Sequence, residues 1–391
     1  MLNDVKIIVG ANYGDEGKGL LTRYFAKQAL FKGQSPIVVM HNGTAQRGHT
    51  VDYNPFNRHV FHHFGSGTGD GVPTFFADSF LIHPMEFRRE WNEVYSTYGW
   101  TPICLCDYGC QVITPFDMLV DHMTEDYIAV QNGEREYGSC GYGSWCATDR
   151  IKDGFGYSIG DLIEANISDT ITTILRGTWY YYCIKKLNER GIDIDKIPQY
   201  RKYFDSETYI NNIIQNFMND LDFFCNHVEF TNFNNIVYLG KYNTAIFENG
   251  QGLGLDQNVD NDWHTTSNTG VANPARLLEN INGYNGEVIY VTRSYLTRHG
   301  MGPLEEQVTK KEIANDMHDK TNIYNVFQGE LRYGYLNDVA QKNRIEKDWS
   351  ILKNNPNFVK SIALTHCNEF DVDTSNARYV SASPYTVFEN N

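Results

Sequence analysis

The sequence predicts an α/β protein: one elaborated domain over residues 1–391, with a central, mostly parallel sheet, helices on both faces and inserted helical subregions. Three observations point there. A short apolar run at 5–9 leads through a glycine loop into a helical stretch at 20–30. A second apolar run, 37–40, follows and ends in another loop of glycines and polar residues. Further strand-length runs recur at 74–77, 244–247, 288–291 and 359–364, and 391 residues suffice to bury a large core.

The first loop reads Gly10-Ala-Asn-Tyr-Gly14-Asp15-Glu16-Gly17-Lys18-Gly19. Backbone N–H groups at such a helix start can cradle phosphate oxygens, and Lys18 adds a point charge. The glycine spacing departs from a standard P-loop. Two carboxylates in the loop suit phosphate only where a cation is bound or a proton is moved. Asp15 is thus a base or a magnesium ligand; the plainer reading makes it a helix cap and Glu16 a first-turn acid. The second loop is His41-Asn-Gly-Thr-Ala-Gln46-Arg47-Gly48-His49-Thr50.

A hairpin is expected over 51–64, then a glycine-rich segment, 65–71, either a backbone wall against a ligand or a mobile loop. Pro84 opens a helix over 85–96 with Phe87, Trp91 and Val94 on one face. Short strands and a helix at 115–127 precede Gly138-Ser139-Cys140-Gly141-Tyr142-Gly143-Ser144. Residues 157–230 read as helical: a helix begins at Gly160, another spans 172–187, and Ser206 caps a third running to 224. Trp179 and Tyr180, Tyr181 and Tyr182 suit a packed or dimeric interface. Runs at 236–239 and 244–247 are strand-like. The second ends at Glu248-Asn-Gly250-Gln251-Gly252, where a neutral Gln suits a purine oxygen or a phosphate. The run at 288–291 leads to Arg293, Arg298 and a Gly300-Met-Gly302-Pro303 turn, and that at 359–364 ends in Thr365-His366-Cys367-Asn368.

A net charge of −15 argues against coating a nucleic-acid polymer but not against binding one nucleotide in a local basic pocket. No signal-peptide pattern opens the chain and no run approaches membrane-spanning length. The eight cysteines fit no zinc framework well; Cys104, Cys106 and Cys110 read as free thiols or, less simply, a metal site. A cytoplasmic location is the expectation.

Several of these stretches resemble the signatures of the adenylosuccinate synthetase family: Gly14-Asp15-Glu16-Gly17-Lys18-Gly19, Gly48-His49-Thr50, Phe247-Glu-Asn-Gly-Gln251-Gly, Thr265-Thr-Ser-Asn-Thr269, Thr297-Arg298-His299-Gly300-Met-Gly302-Pro303 and Leu364-Thr365. They occur in order and cover nearly the whole chain. The resemblance implies a P-loop-NTPase-like sheet, a homodimer, and a ligase that joins L-aspartate to the 6-position of a purine nucleoside monophosphate, IMP. ATP or GTP would be hydrolysed through a 6-phosphoryl intermediate. It implies that Asp15 takes the N1 proton and His49 donates to the 6-oxygen, with Lys18 on the phosphates. Mg2+ would sit between Asp15, the Gly48 carbonyl and the phosphates. Gly14, Glu16, Gly17, Gly19, Gln46, Gln251, Leu255, Thr265, His299 and Ser383 would contact nucleotide or substrate, and His62 would lie nearby.

Departures from the family pattern qualify this. Ser139 and Cys140 stand for two threonines of the monophosphate loop, and Cys140 is a poor donor. Arg150 matches either the arginine sent across the dimer to the partner's phosphate or a solvent-facing side chain. Arg23 stands where the family has the acid that partners its histidine. Arg332 remains of an arginine cluster for the aspartate carboxylates, with Arg298 nearby. His366 and Asn368 replace a lysine and an aspartate that read guanine. Two further readings therefore stand beside IMP: a (d)GMP acceptor with ATP, as in the viral branch, and a non-catalytic nucleotide-binding homologue. The viral branch would place the protein in a host cytoplasm.

Overall fold

A computed structural model describes residues 2–133, 139–165, 168–256, 268–314, 324 and 329–390. Ten strands form its main sheet: β1 (Asp4–Gly10), β2 (Pro36–Met40), β3 (Thr74–Phe76), β4 (Cys104–Cys106), β5 (Glu229–Phe230), β6 (Thr244–Glu248), β7 (Asn285–Arg293), β8 (Phe358–Thr365), β9 (Tyr379–Ser383) and β10 (Thr386–Glu389). Their spatial order is β10-β9-β8-β7-β1-β6-β2-β3-β4-β5. Every neighbouring pair is parallel except the edge hairpin β9–β10.

Side chains alternate across each strand, and both faces are covered. Ile8, Val38 and Met40 enter one core with Leu21 and Phe25 of α1 (Lys18–Phe31). Ile7, Val9, Ile37 and Val39 enter the other, with Phe233 and Phe247. Burial on two sides is why these strands read as continuous apolar runs rather than as alternating ones.

Helix α1 starts two residues earlier than the sequence suggested. Its N-cap is Gly17, held at φ 87°, and no side chain caps it. The capping role for Asp15 thus does not hold. Helices α2 (Pro84–Tyr98) and α3 (Pro115–Asn132) begin where expected, and α3 is closed by a capping box between Thr114 and Asp117. Helix α4 (Ser144–Arg150) follows the Ser139 loop. The segment around Trp179 contains a π-helical turn, Leu175–Tyr180; Trp179 and Tyr182 are buried and Tyr181 is exposed. Ser206 caps α5 (Glu207–Asn226), accepting from the Tyr209 amide.

Two expectations are corrected. Residues 236–239 are not a strand: Phe233–Tyr238 is a helix capped by Asn232. Phe233, Ile236 and Val237 are its buried face, an i, i+3, i+4 set that a short apolar run conceals. The segment 65–71 does not wall a ligand. A Cβ on Gly65 would lie 2.5 Å from Val38, so the chain is packed against β2 instead. The hairpin is present, as His49–Asn54 against Asn57–Phe61, and His49 is its first residue.

The loops after β1, β2, β6, β7, β8 and β9 leave the sheet at its carboxyl edge. That is where an open parallel sheet places its ligand crevice. Among the described residues no helix is long and apolar enough to cross a membrane.

Candidate active site

These loops surround one cavity of about 1530 Å3. The β1–α1 loop folds back over its own strand. Glu16 Oε1 accepts the Asn12 amide at 2.6 Å, and Glu16 Oε2 pairs with Lys18 Nζ at 3.2 Å, both side chains buried. Gly10 is required beneath it, because a Cβ there would overlap the Glu16 carboxylate. Asp15 sits in left-handed backbone at φ 57°, a strained conformation for a residue with a side chain. Arg293 donates to its carbonyl oxygen. Its carboxylate meets His299 Nε2 at 3.1 Å. Burial pushes the Asp15 carboxyl up, but the His299 hydrogen bond and the charges of His299, Arg293 and Lys18 outweigh it and hold the group well below the carboxylate range.

Across the cavity His49 is 7% exposed, and its Nδ1 lies 2.6 Å from Glu248 Oε1 at the end of β6. Burial lowers the imidazole to about 4, with Glu248 opposing. Burial raises Glu248, but His49, Arg47 and Ser66 outweigh it, and the carboxylate stays ionised below its ordinary value. Arg23 takes no part: its guanidinium pairs with Asp70 at 2.6 and 3.3 Å. Arg47 grips the carbonyls of His62 and His63 at 2.6 and 2.9 Å, tying the His49 loop to the hairpin's exit.

The structure brings most of the sequence-predicted residues to this cavity: Gly14 through Gly19, Gln46, Gly48, His49, His62, Ser139, Cys140, Gln251, Leu255, Arg298, His299, His366, Asn368 and Ser383 all line it. Gln46 Oε1 accepts from the Thr44 amide and the Ser144 hydroxyl, each at 3.0 Å, joining the second loop to α4. Ser139 donates its hydroxyl to Asp121 at 2.6 Å, and the Gly143 amide reaches the same oxygen at 2.9 Å. Asn368 is exposed, and its amide makes no hydrogen bond among the described residues, so it does not cap its turn. Thr265 lies outside the described residues.

Two expected ligands stand away from this cavity. Arg150 is 1% exposed and neither faces solvent nor lines the cavity. It donates to both oxygens of Asp117 and to the carbonyls of Val112 and Phe155, and it lies over Trp179. Arg332 does not line the cavity either. It donates to the carbonyls of Gly300 and Gly302 at 2.7 and 2.8 Å, bracing that turn from below. Sequence reasoning missed Glu248 as the partner of His49, and Asp121 under the Ser139 loop. The signal for Glu248 was present: an acid at the end of an otherwise apolar buried strand is rarely idle.

The family model for adenylosuccinate synthetase matches residues 7–365. Curated relatives include the adenylosuccinate synthetases of Saccharopolyspora erythraea (24% identical over 78% of this chain and 65% of that protein) and Mannheimia succiniciproducens (25% identical over 87% and 73%). The chain thus spans about two thirds of the length of the first of these. Among solved structures, the fully ligated Plasmodium falciparum adenylosuccinate synthetase superposes with a TM-score of 0.67 at 18% identity, over 94% of this chain and 77% of that one. The cyanophage S-2L succinoaminodeoxyadenylate synthetase bound to dGMP and dATP gives 0.63 at 14%, over 100% and 96%. At such identities the two structures speak for the fold. With 359 of its 391 residues inside the family match, the chain belongs to the adenylosuccinate synthetase family.

Proposed function

We propose that the protein is a ligase that joins L-aspartate to the 6-position of a purine nucleoside monophosphate, driven by a nucleoside triphosphate. The observation that carries this is the convergence of Asp15 and Lys18 from the β1–α1 loop and His49 from the loop after β2 on one cavity. Binding alone would not ask for an ionised carboxylate beside a phosphate loop; removing a proton from a purine N1 would. Asp15 takes that proton and leaves an anionic 6-oxygen as the nucleophile. His49 stabilises that oxygen as the phosphoryl group arrives. Negative charge there, together with Glu248, favours the imidazolium that burial disfavours without substrate. Aspartate's amine then displaces the phosphate, and Arg298, one of five arginines among the cavity-lining residues, takes its carboxylates.

The donor set fits Mg2+. Asp15 Oδ2 is engaged by His299, and its other oxygen has no bond among the described residues; together with the carbonyl of Gly48, which also lines the cavity, it would hold the ion. No cluster of three or more acidic, His or Cys ligands occurs among the described residues. That suits an ion which takes one or two carboxylates and otherwise substrate phosphates and water. When bound it supplies charge neutralisation on the phosphates.

IMP is the first acceptor reading. A 2-amino-6-oxopurine acceptor with ATP is the second, favoured by the carboxamide of Asn368 in the cavity. The test is a product assay crossing IMP, GMP and dGMP with ATP and GTP, with and without aspartate. Aspartate-dependent product with one pair establishes the ligase and its acceptor. Phosphate release without any amino acid would make it a nucleotide hydrolase, and binding without turnover would make it a non-catalytic homologue.

A further inference from the structure

Glu248 is fully buried at the end of β6 and has three protein donors around its two oxygens. Oε1 accepts from His49 Nδ1 at 2.6 Å and from the Ser66 hydroxyl; Oε2 accepts from the Ser66 amide at 2.9 Å. Ser66 belongs to the glycine-rich segment packed on β2, so the carboxylate is gripped from a rigid part of the core. Helix α1, which packs beside the His49 strand, offers the ring no alternative: it contains no acidic residue between Lys18 and Phe31.

We propose that Glu248, locked by Ser66, is the positioning residue for His49. It accepts the Nδ1–H, fixes that tautomer, and leaves Nε2 as the ring nitrogen available to the cavity that His49 lines. Which imidazole nitrogen carries the proton is decided by the hydrogen bond made at the other. The substrate at Nε2 rests on the ligase reading above; the ring's orientation rests on the contacts alone. On this view the segment 65–71 exists to deliver two donors to one carboxylate, not to touch nucleotide.

The substitution that isolates the effect is Glu248→Gln. The amide NH2 cannot face the Ser66 N–H, so the carbonyl oxygen takes that side and the NH2 turns to His49. Nδ1 must then accept, and the proton moves to Nε2. Nitrogen-15 spectra of the histidine-labelled full chain, with the His49→Asn spectrum used to identify the signal, read this directly. The wild type should show Nδ1 protonated and Nε2 bare, and Glu248→Gln the reverse. Its kcat should fall a hundredfold or more with nucleotide KM within threefold, a split that general loosening of the site would not give. Ser66→Ala, which removes the hydroxyl but keeps the amide, should lower kcat about tenfold. A wild-type His49 protonated only at Nε2, or a Glu248→Gln enzyme with kcat within threefold, overturns the assignment. Should Glu248→Gln fail to fold, the wild-type spectrum and Ser66→Ala still decide. Should the wild type make no aspartate-dependent product, the ligase reading falls, while the spectra still settle the positioning.

Discussion

Asp15 is held by what surrounds it: a positive φ, a carbonyl bonded to Arg293 and a carboxylate bonded to His299. A residue fixed in this way is poised for reaction more than for ground-state binding. Asp15→Asn and His49→Asn should each reduce kcat by far more than tenfold (about 1.4 kcal/mol of barrier) while nucleotide Kd moves little. Turnover within tenfold of the parent in either variant would remove the assigned roles. Asn368 carries a second prediction at this scale, preference for ATP over GTP. A carboxamide can match the adjacent acceptor and donor of adenine, whereas guanine, once enclosed against it, would face an unmatched N–H at roughly 1–3 kcal/mol. Asn368→Asp should shift the ATP:GTP ratio of kcat/KM tenfold or more toward GTP; a parent that prefers GTP ends the argument. Asp15, Lys18 and Gln251 were legible in the sequence because each stands in a glycine loop beside a strand. The pairing of Glu248 with His49 was not, since the two stand 199 positions apart and only the fold joins them.

Buried guanidinium groups decide more at the scale of elements than at the site. Arg150 ties α4 to the capping box of α3 through Asp117, itself 3% exposed. Arg150→Leu leaves that carboxylate buried without its cation and should lower unfolding free energy by about 3–5 kcal/mol. Monophosphate KM, measured below the unfolding transition, should stay within twofold. A large rise in KM with stability unchanged would return Arg150 to a ligand role. Strands and loops were readable because buried parallel strands are apolar without a break. The helix at Phe233–Tyr238 was not, since four apolar or aromatic residues in a row carry no period of their own. The places of Arg150 and Arg332 were equally hidden, because the carbonyls that hold them come from distant turns.

The whole molecule carries an unusual load of buried imidazole. His41, His63 and His83 have no exposed surface, and His49 and His59 are nearly as enclosed. Burial holds His41 and His83 at about 3, His49 and His59 at about 4, and His63 well below its ordinary value. In the unfolded chain each titrates near 6.5. Below that pH the unfolded state binds protons that the native state refuses, so stability falls as pH falls, by about 1.4 kcal/mol per pH unit for each ring. Two carboxyls act in the opposite sense. Burial raises Glu90 to about 7 and Asp348 to about 6, so the native state keeps protons there that the unfolded state releases. Burial also lowers His62 and His366 and raises Asp107, so seven rings stand against three carboxyls and the net is a loss of stability, on the order of a few kcal/mol per unit, as pH falls from 6 to 5. Against a typical total of about 5–15 kcal/mol, that brings acid unfolding well above the carboxylate range. Urea midpoints measured without nucleotide should therefore be steady from pH 8 to 7 and drop steeply from 6.5 to 5. His41→Gln should flatten that slope by about 1.4 kcal/mol per pH unit. A midpoint that holds constant down to pH 5 would mean that these rings accept protons in the folded protein and that the core around them is far wetter than its packing.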